Sequence, residues 1–372
     1  MRILQVITDT DRRGAQVFAL DLQGAMLRKG HQVETVALAS GMQRPALDVE
    51  VLGTRPRAIA TLRELRRRMA SVDITIAHGS STGLACALTG RPFVYRQISD
   101  SRFWADTWPK RLRVAGYLRR ARSIVALSAG AKAALVEHLW IPDDRIHIVP
   151  NGVPVGVFHV PTLPERADAR RALDLPIDSF VALYIGALVP EKGVDVAIRA
   201  VSRLPDVTLA IAGGGPEQAR LQALANEVGG GRVHFLGVAD QPMQTYAAAD
   251  VVLLPSKGGD SMPATLIEAG FCGLPAIATP IGSIEDVVLH DRTGLIIPAG
   301  DESALAMAIQ QLAQDRDERH RVGTAARDHC LAHFEIDVVA EGWLETLNEV
   351  TAGVASRDHR RPSAAPSTKA TS

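Results

Sequence analysis

The sequence predicts an α/β protein made of two Rossmann-like, doubly wound domains that face each other across a cleft. Three observations carry that reading. Apolar runs of strand length alternate with amphipathic runs of helix length along nearly the whole chain, and such alternation builds parallel sheets through right-handed crossovers. The 372 residues exceed one domain at roughly 150 residues each. A Pro- and Val-rich stretch at 153–166 interrupts the alternation, which places the first domain at 1–160 and the second at 161–337.

The elements follow in order. Residues 2–7 read as a buried strand, a loop runs to Gly14, and a helical pattern (Val17, Leu20, Leu22, Leu27) ends at Gly30-His31 before a strand at 32–38. Helices are expected at 59–69, 83–88 and 110–121, with strands at 74–77, 93–96 and 123–127 between and after them. Beyond the linker, strands at 181–185, 207–212, 233–236, 251–255, 276–279 and 295–297 alternate with helices at 193–203, 216–226, 243–248 and 263–271. Three helices close the series at 302–315, 319–333 and 338–350, the last expected to cross back onto the first domain. The Ser/Pro/Ala/Arg-rich tail, 351–372, is expected to be disordered.

Composition narrows the class. Hydrophobic residues make up 47% and charged residues 22%, the balance of a globular protein. No apolar run approaches the roughly 18–20 residues of a membrane-spanning helix, and the first residues read into a strand rather than a signal peptide. Cys86, Cys272 and Cys330 stand far apart without metal spacing, which fits a reducing, cytoplasmic compartment. The net charge of zero hides an asymmetry: residues 1–160 carry 23 Lys and Arg against 13 Asp and Glu, and residues 161–350 carry 14 against 27. The basic half suits an anionic partner, either nucleic acid or an anionic membrane surface, or else is solvated surface charge.

Chemistry concentrates in three strand-to-helix turns of the second domain. Gly186 to Gly193 sets Lys192 beside the positive end of a helix, where a lysine can neutralise a diphosphate. Gly213-Gly214-Gly215-Pro216 is a tight turn that carries little information alone. Gly258-Gly259-Asp260-Ser261-Met262-Pro263 precedes a helix, with Ser261 as the expected N-cap and Pro263 in the first turn. Glu268, among Leu266, Ile267, Ala269 and Phe271, needs hydrogen-bond partners that ligand hydroxyls could supply.

Taken together these segments resemble the family 4 glycosyltransferases, retaining enzymes of the GT-B fold, over about residues 1–350. The family's E-x7-E motif matches Asp260-x7-Glu268-Ala269 with Gly273-Leu274-Pro275 behind it. The match extends through Arg13-Gly14, Gly30-His31, His78, Pro150-Asn151-Gly152, Lys192-Gly193, Gly213-Gly214-Gly215, Ala249-Asp250 and Pro255-Ser256. The resemblance implies roles for these positions. Lys192 would hold the donor's diphosphate, Glu268 the ribose hydroxyls, and Asp260 the transferred sugar. Gly14 and Arg13 would approach the diphosphate from the facing loop, and His78 would lie near sugar and acceptor. Gly186, Gly214, Gly259, Ser261 and Met262 would complete the donor site. Three positions depart from the family, one being Arg13, which stands where the loop usually has its first glycine. Ala187 stands where an arginine often partners the lysine, and Asp260 is one methylene shorter than the usual glutamate.

The implied reaction moves a hexosyl group from a nucleoside-diphosphate sugar to a hydroxyl acceptor with retention, without a metal or other cofactor. The aromatic and basic stretch Trp104, Trp108 and Leu112, with Lys110, Arg111, Arg113, Arg119 and Arg120, suggests a helix lying on the inner face of an anionic membrane, or else one turned into the core. The membrane reading goes with a lipid-linked acceptor and a role in glycolipid or cell-envelope polysaccharide synthesis. A non-catalytic nucleotide-sugar binder and a sugar-nucleotide epimerase stay open as alternatives. Nucleic-acid binding fits less well, because Lys and Arg spread over many elements. A dinucleotide enzyme would need a glycine fingerprint after the first strand, and none is present.

Overall fold

The structure is a computed structural model that describes residues 1–42, 46–99, 101–239 and 241–358. The first domain holds β1 (Arg2–Ile7), α1 (Gly14–Arg28), β2 (Gln32–Ala37), β3 (Glu50–Val51), α2 (Ile59–Ala70), β4 (Ile74–His78) and α3 (Ser80–Thr89). It continues through β5 (Val94–Arg96), α4 (Ser101–Trp104), α5 (Trp108–Leu118), β6 (Ser123–Ala126), α6 (Ala129–Leu139) and β7 (Ile146–Ile148). The second holds α7 (Leu163–Ala172), β8 (Phe180–Ile185), α8 (Val194–Ser202), β9 (Val207–Ala212), α9 (Gln218–Val228), β10 (Val233–Gly237), α10 (Pro242–Ala248) and β11 (Val251–Leu254). After it come α11 (Ala264–Phe271), β12 (Ala276–Ala278), α12 (Ile284–Val287), β13 (Gly294–Ile296), α13 (Glu302–Gln314), α14 (Arg316–Phe334) and α15 (Ile336–Asp358).

Both sheets are parallel. The first runs β3-β2-β1-β4-β5-β6-β7 and the second β10-β9-β8-β11-β12-β13. Strands buried on both faces are mostly apolar, and Val-Thr-Leu-Ala-Ile-Ala of β9 is buried at every position, its one hydroxyl, on Thr208, meeting Ser179 Oγ at 2.7 Å. Strand order reverses beside β1 and β4 in the first sheet and beside β8 and β11 in the second. Loops leaving those strands open a crevice at each carboxyl edge, the usual place for a ligand in such sheets.

Several local outcomes differ from the sequence reading. The expected linker contains the start of α7, because Thr162 and Glu165 form a reciprocal capping box: the Thr162 N–H donates to Glu165 Oε2 at 2.7 Å, and the Glu165 N–H donates to Thr162 Oγ1 at 3.4 Å. The helix expected at 110–121 spans 108–118, and an extended Thr107 followed by Pro109 in the first turn separates it from α4. Trp104 and Trp108 therefore do not share one helix, and the side chain of Trp104 lies outside the described residues. Trp108 and Leu112 are exposed rather than turned into the core. The last helix continues to Asp358 instead of ending at Val350, running through Gly353. The remainder of the expected tail, 359–372, lies outside the described residues.

The chain crosses between domains twice, and the crossings meet. Val153 N–H donates to Phe334 O at 2.9 Å and Ile336 N–H to Val153 O at 3.1 Å, where α14 ends and α15 begins. Beyond that point α15 lies on α1. Arg28 pairs with Asp337 and Lys29 with Glu341, each at 2.7 Å, and Trp343 is fully buried among Ile3, Phe18 and Leu22. The second domain has its own core around β8, β9 and β11.

Candidate active site

The second domain's crevice is made by the loops after β8 and β11. Lys192 ends a 3-10 turn and Gly193 follows in the left-handed region at φ +65°. A Cβ at Gly193 would stand 2.0 Å from Pro255 O, so only glycine lets these two loops touch. That contact brings Lys192 Nζ onto Asp260 Oδ1 in a direct ion pair. The other carboxylate oxygen, Oδ2, accepts from Ser256 Oγ, and Thr279 Oγ1 holds Ser256 by donating to its carbonyl at 2.7 Å. Asp260 is 6% exposed, and the Lys192 side chain reaches the crevice at 23%. Gly186 and Gly214 form the neighbouring wall, with the Leu188 N–H donating to Gly214 O at 3.0 Å. Gly259 adjoins Asp260 in the loop at φ +75°.

Glu268 projects from α11 one turn inside the helix. Its Oε2 accepts from the Tyr246 hydroxyl at 2.6 Å, so the hydrogen bond that the sequence left to a ligand is partly supplied by α10. Burial and the Asp21 carboxylate of α1 push the Glu268 acid up, with the Tyr246 hydroxyl working against them. Burial also lifts Asp21, from 3.8 to about 6, while Arg12 opposes the shift. The Asp21 carboxylate of the first domain thus acts on the Glu268 acid of the second.

The first domain contributes an open cavity of about 290 Å³ at the β1 and β4 crevice, lined by Thr8, Asp9, Arg13, Gln16, His78, Gly79 and Ile98 among others. Gly14 opens α1, where an added Cβ would meet nothing within 4 Å. Arg13 pairs with Asp9 and reaches Asp11 at 3.6 Å. Burial would raise the Asp9 acid, but the bonds from Arg13 and from the Asp11 N–H overcome it and hold Asp9 low. His78 is 2% exposed, and its Nε2 is 2.8 Å from Gln5 Oε1. The Gln5 amide nitrogen donates to Ala19 O at 2.7 Å, so Nε2 of His78 carries the hydrogen. Its Nδ1 has no hydrogen-bond partner among the described residues. Burial and the nearby Arg96 cation keep this imidazole neutral.

Side-chain hydrogen bonds join the domains at the cleft. Ser261 Oγ donates to Ile98 O at 2.9 Å, Ser283 Oγ donates to Ser128 Oγ at 2.7 Å, and Asn151 Nδ2 donates to Met262 O at 3.0 Å. Asn151 Oδ1 in turn accepts from Arg96 at 2.9 Å, and the Arg96 guanidinium lies 3.7 Å from the centroid of the Phe18 ring. Two expectations change here. Ser261 does not cap α11, whose N-cap is Pro263 without a side-chain bond, because its hydroxyl is used on the opposite domain. Met262 is 3% exposed and is engaged by the Asn151 turn. Lys192 and Asp260 meet in the second domain's crevice, Arg13 and His78 line the first domain's cavity, Glu268 stands on α11 and Gly14 opens α1.

Sequence reasoning missed Tyr246, Asp21, Gln5 and Arg96 and gave Ser256 no role. Pro255-Ser256 was visible as a motif, whereas Asp21 and Gln5 sit in ordinary apolar patterns that give no signal.

Two parallel sheets each open a crevice at a switch point, and one of the two holds a lysine–carboxylate pair. Residues 12–156 match the model of glycosyltransferase family 4, and residues 165–329 that of the glycosyl transferases group 1. A D-inositol 3-phosphate glycosyltransferase of Xylanimonas cellulosilytica is 30% identical across 92% of this chain and 93% of its own. The lipopolysaccharide core biosynthesis glycosyltransferase LpsE of Rhizobium meliloti is 30% identical across 64% of this chain and 67% of its own. The Anabaena protein HepE, solved in complex with UDP and glucose, superposes with a TM-score of 0.83 at 20% identity over 94% of this chain and 99% of that one. The chain belongs to the family 4 glycosyltransferases, with the GT-B fold.

Proposed function

We propose that this glycosyltransferase moves a hexosyl group from UDP-sugar to a hydroxyl acceptor with retention of anomeric configuration. The carrying observation is the Lys192–Asp260 pair beside α11 with its Glu268, together with the first domain's cavity lined by Arg13 and His78. In this reading Glu268 accepts the ribose hydroxyls, Lys192 meets the diphosphate and Asp260 the sugar. The bond from the anomeric carbon to the phosphate oxygen breaks and the bond to the acceptor oxygen forms on the same face. The acceptor's proton passes to the departing phosphate. A double displacement would need a carboxylate poised on the anomeric carbon, whereas the motif directs its carboxylates to hydroxyls. Lys192 and the helix ends stabilise the leaving group without a metal. UDP is the favoured base because HepE is described with UDP and with UDP-glucose.

The acceptor is proposed to be lipid-linked and part of the cell envelope, with the first domain resting on the inner face of an anionic membrane. Trp108 and Trp140 meet edge to face at 5.1 Å and are 59% and 39% exposed, beside exposed Leu112, Lys110 and Arg113. LpsE is named for lipopolysaccharide core synthesis, which fits such an acceptor. A phosphorylated polyol is the second reading, on the name and near-complete coverage of the Xylanimonas relative.

The test is a thermal-shift panel with UDP, GDP, ADP, CMP and dTDP. A ligand at about 100-fold over its dissociation constant adds about 2.7 kcal/mol. A shift with UDP that Glu268→Ala abolishes is the expected result, followed by turnover of UDP-glucose giving a product of unchanged anomeric configuration by NMR. No shift with any nucleotide overturns the proposal. Binding without turnover points to the non-catalytic binder, and a changed sugar without acceptor points to the epimerase.

A further inference from the structure

We infer that Asp260 makes the site discriminate between a sugar-bearing nucleoside diphosphate and the bare nucleoside diphosphate left after transfer, by competing with the diphosphate for Lys192. The inference rests on the donor site just proposed. Lys192 Nζ is held by Asp260 Oδ1, so the cation assigned to the diphosphate is already neutralised inside the protein. The carboxylate is anchored from behind. Ser256 Oγ donates to its Oδ2, and Ser256 and Thr279 are both fully buried and bonded to each other at 2.7 Å. The neighbouring loop lysine, Lys257, is engaged by Asp195 at 2.9 Å. Ala187 supplies no second cation after β8. The shorter aspartate therefore ends on Lys192 instead of reaching past it into the crevice.

The two possible ligands meet this pair differently. A nucleotide sugar brings a phosphate for Lys192 and a hydroxyl for Asp260, so both ions exchange one partner for another. A bare nucleoside diphosphate brings only the phosphate. Drawing Lys192 away then leaves Oδ1 of a carboxylate that is 6% exposed without a donor, a state that carries the desolvation penalty of an unpaired buried charge. After transfer the sugar leaves, Asp260 recovers Lys192, and the diphosphate is weakened at the moment of product release. Asp260 acts here as a specificity-determining group, and Ser256 as the residue that positions it.

The experiment measures calorimetric dissociation constants of UDP and UDP-glucose on the whole chain, wild type and variants, with the inhibition constant of UDP against turnover. Asp260→Asn keeps the shape and removes the competing charge. It is expected to bind UDP about tenfold more tightly and UDP-glucose no more tightly, so the preference for the sugar-bearing ligand collapses and product inhibition deepens. Ser256→Ala keeps the charge but frees the carboxylate. It is expected to weaken UDP-glucose by about tenfold with UDP unchanged, and Ser256→Thr to restore it. If Asp260→Asn binds UDP as the wild type does, or less tightly, the inference is wrong while the donor site stands. If Ser256→Ala leaves both constants unchanged, the positioning role is wrong. A folded wild type that binds no nucleoside diphosphate overturns the donor site itself.

Discussion

At the scale of single residues, the site is governed by a few charges in partly dry surroundings. If Lys192 stabilises the departing diphosphate, its loss removes a preorganised charge where negative charge develops. Lys192→Ala is expected to lower kcat/KM by roughly 2.7–4 kcal/mol, or 10²–10³-fold, with the fold intact by circular dichroism. Near-normal turnover would remove Lys192 from the mechanism. Asp21 offers a test by pH. Burial, against the opposing pull of Arg12, lifts its acid from 3.8 to about 6. Between those values the folded protein holds a proton that the unfolded chain has lost, so this group's contribution to stability falls as pH rises through the window. Asp21→Asn is therefore expected to melt a few degrees above wild type at pH 7 and to converge with it near pH 4. A constant difference across that range would show that the mutation acts through packing instead.

At the scale of elements, α15 is held by what it covers. It leaves the second domain at the Val153 and Glu335 bridge and lays Trp343 against Ile3, Phe18 and Leu22 of the first. A helix docked this way draws its stability from the buried apolar face rather than from intrinsic propensity. Trp343→Ala is expected to cost about 3–5 kcal/mol in denaturant unfolding, because the first domain loses the largest of its fully buried side chains. A loss below 1 kcal/mol would mean that α15 docks without needing Trp343. The α7 capping box shows the opposite regime. There a local Thr-x-x-Glu pattern decided where a helix starts, inside a stretch whose prolines and valines suggest linker.

At the scale of the whole molecule, the basic first half and the acidic second half become two faces of one cleft protein. The exposed Trp108, Leu112 and Trp140 cluster lies on the basic domain. Wild type is expected to float with vesicles containing phosphatidylglycerol at low salt and to sink as salt screens the attraction. Trp108→Ser with Trp140→Ser should stay at the bottom of the gradient. Equal flotation with neutral vesicles, or none with anionic ones, would dismiss the membrane surface. No helix among the described residues is long and apolar enough to cross a membrane.

The amino-acid sequence by itself determined the two α/β domains, the order along the chain of nearly all their strands, the turns that hold Lys192 and Asp260, and the helix that carries Glu268. These are local properties: a period of two or of 3.6, a glycine that ends a strand, a proline that opens a helix. Only the tertiary structure decided which groups those residues meet. Tyr246 reaches Glu268 from 22 positions away and Lys192 reaches Asp260 across 68, while Ser261 bonds Ile98 across 163. Asp21 on α1 acts on Glu268 on α11 only because the two domains come together. Such pairings depend on how sheets stack and how domains close, and no spacing along the chain records them. The break between Trp104 and Trp108 was likewise decided by backbone geometry around Thr107 and Pro109, which overrode an apolar spacing that fits one continuous helix.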